Sequence, residues 1–571
     1  MVLSSLLVAT MWELVRAPEP AVAELTEPRS SCPAERPDEG AARVTARLCG
    51  GPVGVASLTS ETTEVWANAD GTMSAEVHAG QVRVRDGRGG WAKVDLNLRR
   101  RPDGSVAPGV HPEGLVISGA VGAGEHDLAV LGSGDERVAV GWRGVLPDPV
   151  LDGTKATYVD AKPGIDLVIE TTRSGFETFL VVKNRAAAAR VASVAMPLRT
   201  GTLTSQPGAG GGFDLRDRAG KVRGRVSAAF MWDARVNLTS GLPTRRVPVA
   251  LSTRSAGAGR TDLVLTPDVA FLEDPTTVYP VTIDPQLNIG TTGDTYVESD
   301  IPNTSKWSST ELLLGTYNDG GVVARSFLRF DLTPYYGTAV NSATLRLWET
   351  WAWSCFDAEW RAYVAGYVDQ TTTWNTQPSM TTHVGTSSQT TGRDECEPDG
   401  WVAIDARGFF QAAADAQYPY YSLGLRATQE GNNGSTRDSW KRFHSANGVN
   451  DPYVTINYTG YPTVGTRSTA PSTICATGSS RPYINTATPT LKAQISDPEG
   501  ASVKAEFEWW AVGGASKIGS AVTGAAPSGS TLQAAVPGGA FANGSNYMWR
   551  VRGNDGVVNG SWSSWCEFTI D

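Results

Sequence analysis

Charge is scarce in this 571-residue chain: Asp, Glu, Lys and Arg together make up 19% of it, and the formal balance is −10. An acidic chain of that kind has no broad positive field to collect phosphates, so the sequence predicts no nucleic-acid partner. No run of 18 apolar residues occurs after the N-terminus, which predicts a chain that does not span a membrane with a helix. The five histidines, His78, His111, His126, His383 and His444, are scattered. No CxxC, HExxH, nucleophile elbow, P-loop or dinucleotide fingerprint is present. The glycine-rich stretch 208–212 lacks the spacing and following helix of a phosphate loop and reads as a flexible turn. No convergent catalytic motif is visible, and the reading that follows is of a protein that is not an enzyme and needs no cofactor.

What the chain has in quantity is glycine (62), proline (33) and tryptophan (18). Turn formers at that density, with short alternating segments between them, predict a mainly β, multidomain fold rather than a helical bundle. Val94, Leu96 and Leu98 alternate with Asp95, Asn97 and Arg99, and Val82 and Val84 with Arg83 and Arg85, each pattern setting one face on a core and the other in water. Asp86-Gly87, Pro102-Asp103-Gly104 and Pro163-Gly164 read as hairpin turns. One amphipathic helix is predicted over 405–417, carrying Phe409, Phe410, Ala413 and Ala414 on one face. Residues 286–292 and 459–482 read as boundaries between units.

Six cysteines fall as three successive pairs, Cys32 with Cys49, Cys355 with Cys396 and Cys475 with Cys566. Fifteen connectivities are open to six cysteines, and pairing within each unit follows from the boundaries. Disulfides place the chain in an oxidising compartment, secreted or at a cell surface. The apolar run Val2, Leu3, Leu6, Leu7, Val8, Ala9 with Ala21-Val22-Ala23 reads equally as a signal peptide or as a leader, because no basic residue precedes it and Glu13 and Arg16 follow it.

Two kinds of site are proposed by side-chain placement. Asp294, Glu298 and Asp300 share parity with Tyr296 and leave room for structural calcium, against a solvated acidic edge as the plainer reading. Aromatic residues are the stronger lead, since 13 of the 18 tryptophans follow residue 300. In Ala343–Cys355 the odd positions hold Ala343, Leu345, Leu347, Trp351 and Trp353, with Glu349 the exception. Trp348 then stands outward beside Arg346 and Thr344, where an indole can stack on a sugar ring while the guanidinium donates to hydroxyls. These three residues are the glycan-binding candidates, and the plainer reading of most tryptophans is core packing.

The middle of the chain carries Asp294-Thr295-Tyr296-Val297, Leu314-Gly315, Arg325 to Leu332, Ser342 to Leu347, Thr372-Thr373-Trp374-Asn375, Phe443-His444-Ser445 and Pro452-Tyr453-Val454 in that order. With these it resembles the DNRLRE-domain family, which is similar to family 96 carbohydrate-binding modules. The resemblance implies a jelly-roll-like β-sandwich in a secreted protein, with glycan binding. Residues 60–285, with Met231-Trp232-Asp233 and the segment Tyr279 to Pro285, resemble the N-terminal β-rich region of actinobacterial RHS-type surface proteins. Asp497-Pro498-Glu499-Gly500, Tyr547 to Arg552 and Trp562-Ser563-Ser564-Trp565 resemble a fibronectin type III sandwich. The organisation expected is a leader or signal-like segment and linker over 1–50, a β-rich unit over 51–287, the jelly-roll-like sandwich over 288–460 and the fibronectin-like sandwich over 461–571. The leading functional reading is a secreted, non-enzymatic surface or matrix protein whose middle unit binds polysaccharide or cell-wall glycan. A structural or delivery portion of an RHS/toxin-type system with no ligand of its own is the second, and a polysaccharide-degrading enzyme the third.

Overall fold

The computed structural model describes residues 32–571 except 209–210, 258–259, 285, 291–292, 319, 357 and 432–438. The signal-like residues 2–23 lie outside the described residues. Strands dominate the chain, as the turn-rich composition requires, and they assemble into stacked sandwiches.

A helix missed by the sequence reading comes first. Glu39–Cys49 lies inside the segment read as leader and linker. Asp38 caps it by accepting from the Ala41 amide, Gly50 ends it in the left-handed region at φ 69°, and the Cys32–Cys49 disulfide ties it down. Its Arg43 reaches Glu499 in the C-terminal unit at 3.3 Å, and Arg47 donates to the Glu499 carbonyl.

Arg83–Arg85 and Trp91–Lys93 pair as a separate hairpin, while strands between Asp95 and Asn288 form two sheets linked into a closed path. One contains Glu125–Leu131, Val138–Arg143, Val194–Arg199 and Thr261–Thr266. The other contains Lys155–Lys162, Ile165–Thr171, Gly175–Val182 and Val281–Asp284. The long strand Arg246–Ser255 passes from one sheet to the other, pairing first with Ala229–Trp232 and then with Thr261–Thr266. Leu96 and Leu98 are buried, as their alternation predicts, but the reading of Val82 to Arg85 is inverted. Arg83 is the buried residue, because its guanidinium reaches the Thr63 carbonyl and the Glu64 carboxylate.

The middle sandwich has Asp294–Glu298, Val322–Leu328, Ser422–Ala427, Trp360–Ala365 and Met380–Ser387 in one sheet. The other sheet runs from Thr63–Ala67 through Met73–His78, Tyr453–Gly460 and Thr338–Ala352 to Gly400–Asp405. The strand Met73–His78, read from the sequence with the preceding unit, therefore hydrogen-bonds along Tyr453–Gly460. Tyr453–Gly460 would otherwise be an open edge, and Met73, Ala75 and Val77 present the buried face that closes it. Helix Arg407–Ala416 buries Phe409, Phe410, Ala413 and Ala414 beneath the sheets.

Arg173 fastens the first sandwich to the second. It donates to the carbonyls of Gln81, Ala446, Gly448 and Val449 at 2.9–3.3 Å, while Ser174 donates to Asn447 at 2.6 Å. The C-terminal unit packs a three-stranded sheet on a five-stranded one. Its Arg550 lies between the rings of Trp562 and Trp565, at 4.8 and 4.6 Å, and donates to Glu508 at 2.6 Å. No helix among the described residues is long and apolar enough to cross a membrane.

Candidate functional site

In Thr338–Ala352 the residues Ala343, Leu345 and Leu347 enter the core, which leaves Thr344, Arg346 and Trp348 on the opposite face. The inward parity does not continue to Trp351 and Trp353. The register against Lys441–His444 shifts between Glu349 and Trp351, and both later indoles end half-buried, Trp351 donating to the Thr239 carbonyl at 3.0 Å.

Cross-strand register builds the outward face into a platform. Trp348 stands opposite Trp401, Arg346 opposite Tyr453, and Tyr453 opposite His78. Trp348 and Trp401 meet edge to face at 5.4 Å, Trp401 and Tyr453 at 5.1 Å, and Tyr453 stacks on His78 at 5.4 Å. The aromatic run thus crosses the strands rather than following one. Trp401 keeps 41% of its surface exposed. Arg346 lies 5.8 Å over Tyr453 and donates to Thr455 Oγ1 at 2.8 Å. Thr344 begins a shallow groove of about 520 Å³ that also involves Asn341, Gln389, Asp405 and Arg407. One end of the face therefore offers ring surfaces and the other offers hydroxyl, amide and charged groups, the combination that holds an amphipathic, polyhydroxylated ligand.

His78 anchors the platform. Its Nδ1 lies 2.8 Å from Asp451 and its Nε2 2.9 Å from Glu76. Burial alone would push this imidazole down, but the hydrogen bonds to Asp451 and Glu76, aided by the two charges, hold its pKa above the ordinary 6.5. The same hydrogen bond lowers the Glu76 carboxyl. A raised imidazole contributes stability that is fully present below its unfolded pKa and lost as pH rises through its folded one. Warming the chain at about pH 6 and at about pH 9 is expected to show a fall in Tm that shrinks in His78→Gln, which cannot carry the charge. Equal falls in the two proteins would refute the linkage.

The remaining candidates do not converge. Asp294 accepts from the Ala446 amide at 2.6 Å, while Glu298 takes Arg246 at 3.0 Å and Tyr317 at 2.7 Å, with Asp300 lying 3.7 Å from Arg246. No three His, Cys, Asp or Glu side chains gather as a metal site among the described residues. The cysteines join as Cys32–Cys49, Cys355–Cys396 and Cys475–Cys566. Sequence reasoning missed His78, Tyr453 and Trp401 as parts of one surface. Ser74, Glu76 and His78 alternate with Met73, Ala75 and Val77, so an outward face was visible there, but its neighbour lies far along the chain.

Residues 285–458 match the model of carbohydrate-binding module family 96. The tRNA3(Ser)-specific nuclease WapA of Bacillus spizizenii and the tRNA nuclease WapA of Bacillus subtilis are each 25% identical over 436 residues, covering 71% of this chain and 18% of the relative. A β-glucuronidase structure from Parabacteroides merdae overlaps 43% of this chain and 28% of that one at 11% identity, with a TM-score of 0.15, too low to bear on fold or activity. The nuclease relatives correct the expectation of a protein that is not an enzyme, and they remove the support for excluding nucleic acid as a partner. The chain spans under a fifth of the length of those relatives, and within it the segment 285–458 is similar to a carbohydrate-binding module.

Proposed function

We propose that this chain is a glycan-binding array of β-sandwiches within a secreted or surface-exposed nuclease-type protein, and that the outward face bearing Trp348, Trp401, Tyr453, Arg346 and Thr344 holds the glycan. The observation that carries the reading is the ring run of Trp348, Trp401 and Tyr453, half-buried except for the exposed Trp401, inside a segment similar to a carbohydrate-binding module and extended by His78 from outside that segment. Three disulfides support a location outside the reducing cytosol. Cleavage of tRNA is proposed for the protein as a whole on the printed names of its relatives.

Retention on chitin, cellulose and purified peptidoglycan sacculi tests the binding. Trp348→Ala/Trp401→Ala is expected to weaken binding about tenfold, corresponding to about 1.4 kcal/mol, with Tm unchanged. Equal retention of the variant and the parent would defeat the assignment. The alignment to the nucleases extends well beyond 285–458, which favours a second reading, a delivery scaffold without its own ligand. Retention of the parent on none of the polymers would support that one. Incubation of the chain with tRNA, read by gel, distinguishes nuclease chemistry within these 571 residues from chemistry elsewhere in the protein.

A further inference from the structure

We propose that the loop end of the middle sandwich holds a second glycan-binding site, built on Tyr367, Tyr418, Tyr420 and Tyr421. Tyr367 follows the strand Trp360–Ala365, and the other three lie between helix Arg407–Ala416 and the strand Ser422–Ala427. Those two strands pair side by side, Ala365 opposite Ser422, which brings both tyrosine-bearing loops to one end of the sheet. That sheet is the one facing away from Trp348 and Trp401.

The rings brace one another. Tyr367 meets Tyr420 edge to face at 5.3 Å, Tyr418 meets Tyr420 at 5.5 Å, and Tyr418 meets Tyr421 at 4.9 Å. Arg329 fixes the arrangement from below, with its guanidinium 4.4 Å over Tyr367 and 5.6 Å from Trp307 and a hydrogen bond to the Val368 carbonyl at 3.2 Å. Yet Tyr367, Tyr418 and Tyr420 remain 43%, 44% and 52% exposed. Rings held so rigidly and still open to water are a pre-organised surface, whose ordering cost on binding is already met in the fold.

Two observations choose the occupant. None of the four tyrosine hydroxyls has a hydrogen-bond partner among the described residues, so each is available as donor and acceptor. Between residues 288 and 448 no exposed leucine, isoleucine or valine accompanies the rings among the described residues. A contiguous apolar patch would mark a protein or membrane contact, whereas ring faces with free hydroxyls match the C–H faces and hydroxyls of a sugar. The cluster also lies within the segment similar to a carbohydrate-binding module. Two sites on one module would let a single polymer be held at both, with a gain in avidity.

The test uses the full chain with chitin, cellulose and peptidoglycan sacculi. Tyr367→Ala/Tyr420→Ala is expected to weaken retention about fivefold with Tm unchanged. Tyr367→Phe/Tyr420→Phe, which keeps the ring packing and removes two hydroxyls, is expected to weaken it about threefold. Combining the alanine pair with Trp348→Ala/Trp401→Ala should abolish retention. Loss in the tyrosine variants with full retention in the tryptophan variant would uphold this site while defeating the sheet-face reading. Unchanged retention of the phenylalanine variant, or retention of the parent on no polymer, would overturn the proposal.

Discussion

Replacing Lys441 by methionine is expected to cost the chain about 3–5 kcal/mol of stability, and replacing Glu349 by leucine in the same protein is expected to restore most of it. Lys441 is 1% and Glu349 0% exposed at the side chain, and they meet at 2.9 Å. The ammonium also donates to the Gln389 carbonyl at 3.0 Å and to Thr390 Oγ1 at 2.9 Å, so all three of its protons are used. The other oxygen of Glu349 accepts from the Thr391 amide at 3.0 Å. Such a network is satisfied only as a whole, and losing one partner leaves a charge in a site without water. Burial already pushes the Glu349 carboxyl above its ordinary value, and only Lys441 and the Thr391 hydrogen bonds pull it back. A carboxyl raised in the fold loses stability as pH rises from its unfolded pKa through its folded one, because the native state then holds the proton more tightly. The deficit of the single variant should therefore be larger near neutral pH than in mild acid. Urea unfolding at two pH values measures this, and a single variant as stable as the parent, or a double variant no better than the single, would show that the pair does not hold the sheets.

Glu349 also shows how much the sequence discloses. It breaks an otherwise apolar parity running through Ala343, Leu345 and Leu347, and a carboxylate at an inward position needs a cation brought to it. The identity of that cation could not be read, because Lys441 arrives on a strand far along the chain. Local periodicity likewise placed Trp348 and Arg346 on one face and Phe409 and Phe410 on the buried side of a helix. Register shifts escape it: one bulge after Glu349 turned Trp351 and Trp353 from the predicted inward positions to half-buried ones. Partner choice escapes it too. Val82 and Val84 alternate with arginines as a core face should, yet Arg83 goes inside because the Thr63 carbonyl and Glu64 wait there. The candidate site was legible as one strand of a four-strand surface, since Trp401, Tyr453 and His78 join it only through long-range pairing. Net charge does not decide partners, being an average over the chain that describes no one surface.

Removing the Cys475–Cys566 disulfide as Cys475→Ala/Cys566→Ala is expected to cost about 4.5 kcal/mol, the largest loss among the three bridges. The reason lies in the unfolded chain. This bridge joins residues 91 apart, against 17 for Cys32–Cys49 and 41 for Cys355–Cys396, and the entropy withheld from the unfolded ensemble grows with the logarithm of that separation. Native contacts at the junction persist without the sulfur bond: Ala476 and Glu567 form a main-chain bridge beside it, and Arg481 pairs with Glu567 at 2.6 Å. Cys566 is itself buried against the sandwich core, so alanine there removes one sulfur and leaves a small void rather than a buried polar group. The folded C-terminal unit should accordingly keep its near-UV signature while unfolding at lower urea. The matched variant Cys32→Ala/Cys49→Ala should lose about 1.5 kcal/mol less, the difference expected from loop length alone. Equal losses in the two variants would place the stabilisation in the native state instead, and the closure of a long β-rich segment would then have to be credited to its own hydrogen bonds.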